Sequence, residues 1–280
     1  MASFFMVALL VVGATLWNAY HREQEQLLRN EQAQATYWQA RENYLAGNYA
    51  YSLALLQEIP AYTPIAVEAL EYREKIFTEL EEKGFWHYQR GQYEESARLL
   101  QILADQDINY KPAMFARLVA SYELLQNYEG AIRAYESVIR AEPRTIEARN
   151  RLAAIYAEHY GDFDKAMQYY EQASELVIEE YKSQYGNAYA LTVNPGKTPD
   201  SHYQLHCGLA KVYLAQGMHY QADAALKWAL FLRPDEPMAY YLMGIRQREA
   251  GNLAAACYNW KQAEGRGSAQ AGDFLATYCR

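Results

Sequence analysis

One short pattern recurs six times along this chain, and it limits what the chain can fold into. Five copies begin with glycine: GNYAYS at Gly47, GQYEES at Gly91, GDFDKA at Gly161, GMHYQA at Gly217 and GNLAAA at Gly251. A sixth, QNYEGA, begins at Gln126. Each carries a small residue five positions on: Ser52, Ser96, Ala131, Ala166, Ala222 and Ala256. Their spacings are 44, 35, 35, 56 and 34, so one period runs through the chain with two insertions. A fixed period of this length marks a repeat architecture, in which each unit buries its apolar face only against its neighbours.

The residues around the motif say what the unit is. Seven positions before each copy stands another small or slim residue: Ala40, Gly84, Val119, Ala154, Ala210 and Gly244. Apolar residues between the markers recur at helical spacing, as in Leu118, Tyr122 and Leu125. Pro64, Pro143 and Pro234 close several units. The physical reading is a helical hairpin. The small residues let two helices approach closely, the glycine ends the first in a left-handed conformation, and proline stops the second.

This pattern closely resembles tetratricopeptide repeats. The resemblance implies an all-α, right-handed α-solenoid of about six helical hairpins, near 33–64, 77–111, 112–145, 146–180, 203–236 and 237–268. The array is expected over 33–268, with a capping helix in 269–280 that offers Phe274 and Leu275 to the last repeat. Three departures stand out. Serine replaces the usual alanine at Ser52 and Ser96, residues 65–76 prolong the first helix of the second repeat, and residues 181–202 interrupt the array. The resemblance also sorts many of the 27 tyrosines: Tyr49, Tyr93, Tyr122, Tyr128, Tyr135, Tyr170, Tyr213 and Tyr240 fall on signature packing positions.

Residues 1–17 are apolar apart from Ser3 and Thr15. About 17–20 helical residues suffice to span a bilayer core, so residues 1–20 read as a transmembrane anchor, with a cleaved signal peptide and a soluble helix as alternatives. Trp17 and Tyr20 stand where an interfacial aromatic belt belongs. Residues 21–35 read as a polar helical linker. Arg22 and Arg29 bias the body toward the cytoplasm, but Glu23, Glu25 and Glu31 weaken that bias, and sidedness stays open.

The chain carries a net charge of −8, and no nucleic-acid partner is expected, because phosphate contact needs a basic face. No Gly-x-Ser-x-Gly, paired His-Glu zinc helix or Cys-x-x-Cys occurs, so neither an enzyme nor a cofactor is expected. NPGKT at 194–198 echoes a phosphate-binding loop but lacks its first glycine, and Pro199 argues against a helix N-terminus there. The segment reads instead as a long loop. His202, His206 and Cys207 lie together without further ligands and read as packing residues rather than a metal site. Cys257 and Cys279 are symmetric about residue 268, where the last hairpin turns. They are either a disulfide, which would imply an oxidising compartment, or two buried thiols in contact.

In the family the first helix of each repeat lines the concave groove. Carried onto this chain, the inward positions include Tyr37, Arg41, Tyr44, Phe85, Tyr88, Asn150, Lys211, Tyr241, Ile245 and Arg248. Tyrosine and arginine often carry interface energy. Ala113, Ala116 and Ala120 stand where chaperone-binding members clamp a C-terminal carboxylate, which disfavours that subclass. The expectation is a membrane-anchored adaptor or scaffold, in a bacterial cell (inner) membrane, that holds a protein's peptide or helix in its groove. The alternative is a stoichiometric subunit of a larger membrane machine, packing through its convex face or the 181–202 loop.

Overall fold

The computed structural model describes residues 2–106 and 111–279, with side chains from Thr15 onward. Among the described residues every regular element is helical. In chain order these are α1 (Ala2–Leu45), α2 (Tyr49–Glu58), α3 (Ala66–Gln89), α4 (Tyr93–Ala104), α5 (Pro112–Leu124), α6 (Tyr128–Ala141) and α7 (Ile146–Ile155). Then follow α8 (Phe163–Tyr185), α9 (Tyr189–Thr192), α10 (Asp200–Ala215), α11 (His219–Leu232), α12 (Pro237–Glu249), α13 (Leu253–Glu264) and α14 (Ala269–Tyr278). The chain divides into two compact units: Met1–Asn109 with Ala116–Ser121, and Tyr110–Phe115 with Tyr122–Arg280. Each is described by itself.

The repeated motif is the turn of each hairpin. Its first residue has positive φ, as at Gly91 (φ +72°) and Gly217 (φ +70°). The copy without glycine obeys the same demand, and Gln126 takes φ +54°. The next residue often caps the following helix. Asn127, Asp162 and Asn252 accept from backbone N–H groups three residues on, at 2.9, 3.0 and 3.1 Å. Such caps satisfy donors that a helix start leaves unpaired.

In the first unit α1 packs on α2 and α3 on α4. Residues 21–35 lie within α1, which runs unbroken from Ala2 through the first repeat to Leu45. Its polar residues lack any glycine or proline that would interrupt it. The two serines that replace alanine are buried and partnered. Ser52 Oγ donates to the Ala40 carbonyl at 2.7 Å, and Ser96 Oγ lies 3.2 Å from Ser121 Oγ. No helix among the described residues is long and apolar enough to cross a membrane. The apolar run proposed as an anchor falls largely on residues 1–14, whose side chains lie outside the described set.

In the second unit the hairpins are α7–α8, α10–α11 and α12–α13, with α14 packed on α13. A continuous core runs from Ile146 to Leu242, and a smaller one gathers Trp260 and Ala271 with Phe274 and Leu275 of α14. The close approaches occur at small residues. A Cβ on Gly208 would collide with Tyr170, and one on Gly244 with the fully buried Trp260, whose indole donates to the Tyr241 carbonyl at 3.2 Å. Cys257 on α13 and Cys279 at the end of α14 form a disulfide with Cα atoms 5.7 Å apart.

The insertion departs from the long loop expected. α8 continues to Tyr185, Gly186 breaks it at φ +77°, and α9 and a 3₁₀ turn at Pro195–Lys197 follow. A helix does start after Pro199, since α10 begins at Asp200 and proline is well suited to a helix entrance. The NPGKT segment faces a cation rather than an anion. Arg233 donates to the carbonyls of Pro195 and Thr198 and pairs with Asp200.

A left-handed conformation costs a side-chain-bearing residue about 1–2 kcal/mol, while glycine's extra freedom when unfolded offsets about 0.4–1 kcal/mol. Gln126→Gly is therefore expected to stabilise the protein by roughly 0.5–1 kcal/mol, read as a raised urea midpoint. A variant no more stable than the parent would remove this account of the turn.

Candidate functional site

Of the ten residues assigned to the groove, Tyr37, Arg41, Tyr44, Phe85 and Tyr88 lie in the first unit and Asn150, Lys211, Tyr241, Ile245 and Arg248 in the second. In the first unit Tyr37 is buried at 6% exposure, edge-on to Tyr72, and so is a packing residue. Arg41 lies over Trp38 (4.9 Å) and Tyr72 (5.5 Å). Tyr44 donates to Glu79, and burial and that carboxylate raise its pKa. Tyr88 packs against Tyr93, and the Arg117 guanidinium sits 3.9 Å from the Phe85 ring centroid.

In the second unit Ile245 joins the main core, Tyr241 meets Phe274 edge-on at 5.4 Å, and Arg248 lies over Phe274 and Tyr278. Only Asn150 and Lys211 come together. They line a cavity of about 330 Å³ between α7, α10 and α12, the first helices of the last three repeats. The recurring geometry of the hairpin explains the space. Ala154 and Gly208 stand on its wall, and neither offers bulk to fill it.

The remaining walls combine Tyr170, Tyr203, Cys207 and Met238, with Arg151, Gln204 and Glu158 as the more exposed members. Lys211 Nζ pairs with Glu158 Oε1 at 2.7 Å. Asn150 is buried at 4% exposure, which sets it deeper than a rim contact. Its Nδ2 donates to the Ser201 carbonyl at 2.8 Å, and its Oδ1 has no hydrogen-bond partner among the described residues. Burial pushes the Cys207 thiol up to about 11, so it stays protonated and is a poor nucleophile. Burial and the adjacent Cys207 also raise the Tyr203 pKa. The cleft is partly apolar with Arg151, Lys211 and Glu158 among its walls, and the Tyr203 hydroxyl, like Asn150 Oδ1, has no hydrogen-bond partner among the described residues.

Sequence reasoning missed Tyr170, Tyr203 and Met238. Tyr170 was assigned to packing, which it does, but one side of its ring also borders the cavity. The histidines pack. His202 Nε2 lies 3.0 Å from Glu180 Oε2, with Tyr181 edge-on above it, and His206 stacks on Trp228. No cluster of three metal-ligating residues occurs among the described residues.

Burial holds His206 down at about 4 and also depresses His202, opposed by Glu180. Both are neutral when folded, while an unfolded imidazole takes up a proton near 6.5. Their contribution to stability is complete above about 6.5 and is lost as pH falls toward about 4. The urea midpoint is expected to drop over that window, and His206→Gln should flatten the drop. Parallel pH profiles for parent and variant would refute this.

Residues 125–177 match the family model for the tetratricopeptide repeat. No curated protein matches the chain. Among solved structures the chain is similar to the MamA RS-1 ArsTM double mutant, with 16% identity, 69% of this chain and 95% of that one covered, and a TM-score of 0.50. It is also similar to TTC0263, a thermophilic TPR protein in Thermus thermophilus (18% identity, 72% and 98% covered, TM-score 0.49). A third is PilW, a widely conserved type IV pilus biogenesis factor (15% identity, 68% and 76% covered, TM-score 0.49). At such identities a likeness speaks for fold alone. The family match over 125–177, taken with the repeated helical hairpins on both sides of it, supports a tetratricopeptide-repeat protein.

Proposed function

We propose that this chain is a non-enzymatic scaffold that holds a protein partner on the first helices of its last three repeats. One observation carries the reading: the cavity of about 330 Å³ opens between α7, α10 and α12, where Asn150 and Lys211 meet. Protein pockets of this size accept a side chain of a docked segment, and the surrounding helix faces would hold the rest of it. Tyr37, Tyr44 and Arg248, already engaged in packing, are not part of this site.

The scaffold is also proposed to be anchored through residues 1–20, in a bacterial cell membrane. The support is the apolar run of the sequence, followed by Trp17 and Tyr20, which are exposed on α1 at 64% and 57% as interfacial aromatics would be. The disulfide favours an oxidising compartment for the repeats, against the weak pull of Arg22 and Arg29 toward the cytoplasm. A second reading, a permanent subunit of a membrane machine, draws on one further surface. The inserted α9 borders a cleft of about 210 Å³ with Trp228 and Phe231, and Phe231 is 45% exposed.

Two experiments follow. Crosslinking in native membranes with mass spectrometry should capture a partner, and Arg151→Glu with Lys211→Glu should weaken capture by roughly tenfold, about 1.4 kcal/mol, without loss of helicity. Undiminished capture by a folded double variant would overturn the assignment to this cavity. Labelling of Cys257 and Cys279 in intact cells should be blocked until a reductant is added; ready labelling after permeabilisation without reductant would place the repeats in a reducing compartment.

A further inference from the structure

We infer that the Cys257–Cys279 disulfide is a redox latch, a device separate from the cavity: intact, it keeps α14 over the end of the array, and its reduction lets α14 come away and uncover the Trp260 face of the last hairpin. The bond joins α13 to the residue that follows α14, so the loop it closes holds the whole of α14 and the turn before it. Little else fastens that helix. Of its ten residues only Ala271 is buried, Phe274 and Leu275 are half-buried, and Tyr278 is 42% exposed. So short a helix is marginal in water by itself, and α14 stays formed only while docked. A crosslink favours the docked state by restricting the chain once it has come away. Gly265 and Gly267 give the joint between α13 and α14 a backbone freedom that other residues lack, and Gly267 takes φ +95°. Arg266 ties the same joint to the Pro234 carbonyl at 3.2 Å, so the pivot stays in place when the helix leaves.

The covered face is aromatic. Phe274 and Tyr278 stand 5.0 and 5.8 Å from the ring of Trp260, which is fully buried, and Phe274 meets Tyr241 edge-on. These contacts leave with α14, as do those of Arg248 with Phe274 and Tyr278. Trp260 keeps its seat against Gly244 and its bond to the Tyr241 carbonyl, so release opens one side of the last hairpin without dismantling it. Both half-cystines are partly exposed, and a thiolate can reach the bond. The reductant is a dithiol. One of its thiolates attacks a sulfur of the bond to give a mixed disulfide, and its second thiol then displaces that sulfur. The S–S bond breaks, two electrons pass to the Cys257 and Cys279 sulfurs, the two dithiol protons end on them, and the dithiol is left as a disulfide. Cys207, buried and with its thiol pushed up to about 11, offers no competing thiolate.

The test follows amide hydrogen exchange by mass spectrometry on the full chain in detergent: oxidised, reduced with dithiothreitol, and reoxidised. Iodoacetamide counts the free thiols in each state. Reduction should speed exchange across α14 by roughly tenfold or more, leave α10 to α12 unchanged, and be reversed on reoxidation. Cys257→Ser with Cys279→Ser should exchange like the reduced chain with no reductant present. Equal protection of α14 with the bond intact and broken would show a cover held by packing alone, and would overturn the latch. Faster exchange throughout α10 to α12 on reduction would overturn it too, since the bond would then support the whole end of the array. So would a bond that dithiothreitol cuts only after denaturant is added.

Discussion

Everything in this molecule depends on how closely the two helices of a hairpin can approach. The approach is set where one helix presents almost no side chain and its neighbour presents a ring or branched group. Gly244 receives the Trp260 indole, Gly130 receives the Tyr122 ring, and Gly84 receives Leu100; a Cβ at any of the three would strike the partner. The left-handed turn is the other half of the same constraint. It reverses the chain within a few residues, so the second helix returns along the first in register with its small residues. Where the turn lacks glycine, Gln126 still adopts the conformation, which shows that tertiary packing holds the backbone there.

That constraint also makes the cavity. Gly208 lies on α10, where a Cβ would collide with Tyr170 of α8. The same missing side chain that admits the tyrosine ring leaves room beside it, between α7 and α10. Structure and site are therefore not separable at this position. Any larger residue at 208 would displace Tyr170 from the core before it filled the cleft.

The hairpins were legible in the sequence because their determinants are local: a turn residue, a cap, a small residue at fixed offset and an apolar stripe. The faces were not. A helical period identifies a stripe but cannot say whether it meets the next repeat or solvent. Tyr37 and Asn150 occupy inward positions, yet both are buried at 6% and 4% exposure, one in packing against Tyr72 and the other bound to the Ser201 carbonyl. Of the tyrosines set aside for recognition, Tyr44 is held by Glu79 and Tyr241 by Phe274. Tyr170 serves the core and lines the cavity as well. The insertion was illegible for a different reason: residues 181–202 carry no repeat period, and their order comes from long-range contacts to Arg233 and Glu180.

The insertion and the cavity are nevertheless one construction. Ser201, the acceptor for Asn150, is the second residue of α10, and α10 can start there because Arg233 gathers the carbonyls of Pro195 and Thr198 just before it. Without the inserted segment, α10 would lack this fixed entrance and the Asn150 amide would be free to rotate. With it, the amide nitrogen is held on the Ser201 carbonyl. The irregular part of the array thus fixes a side chain that lines a cavity between its regular helices.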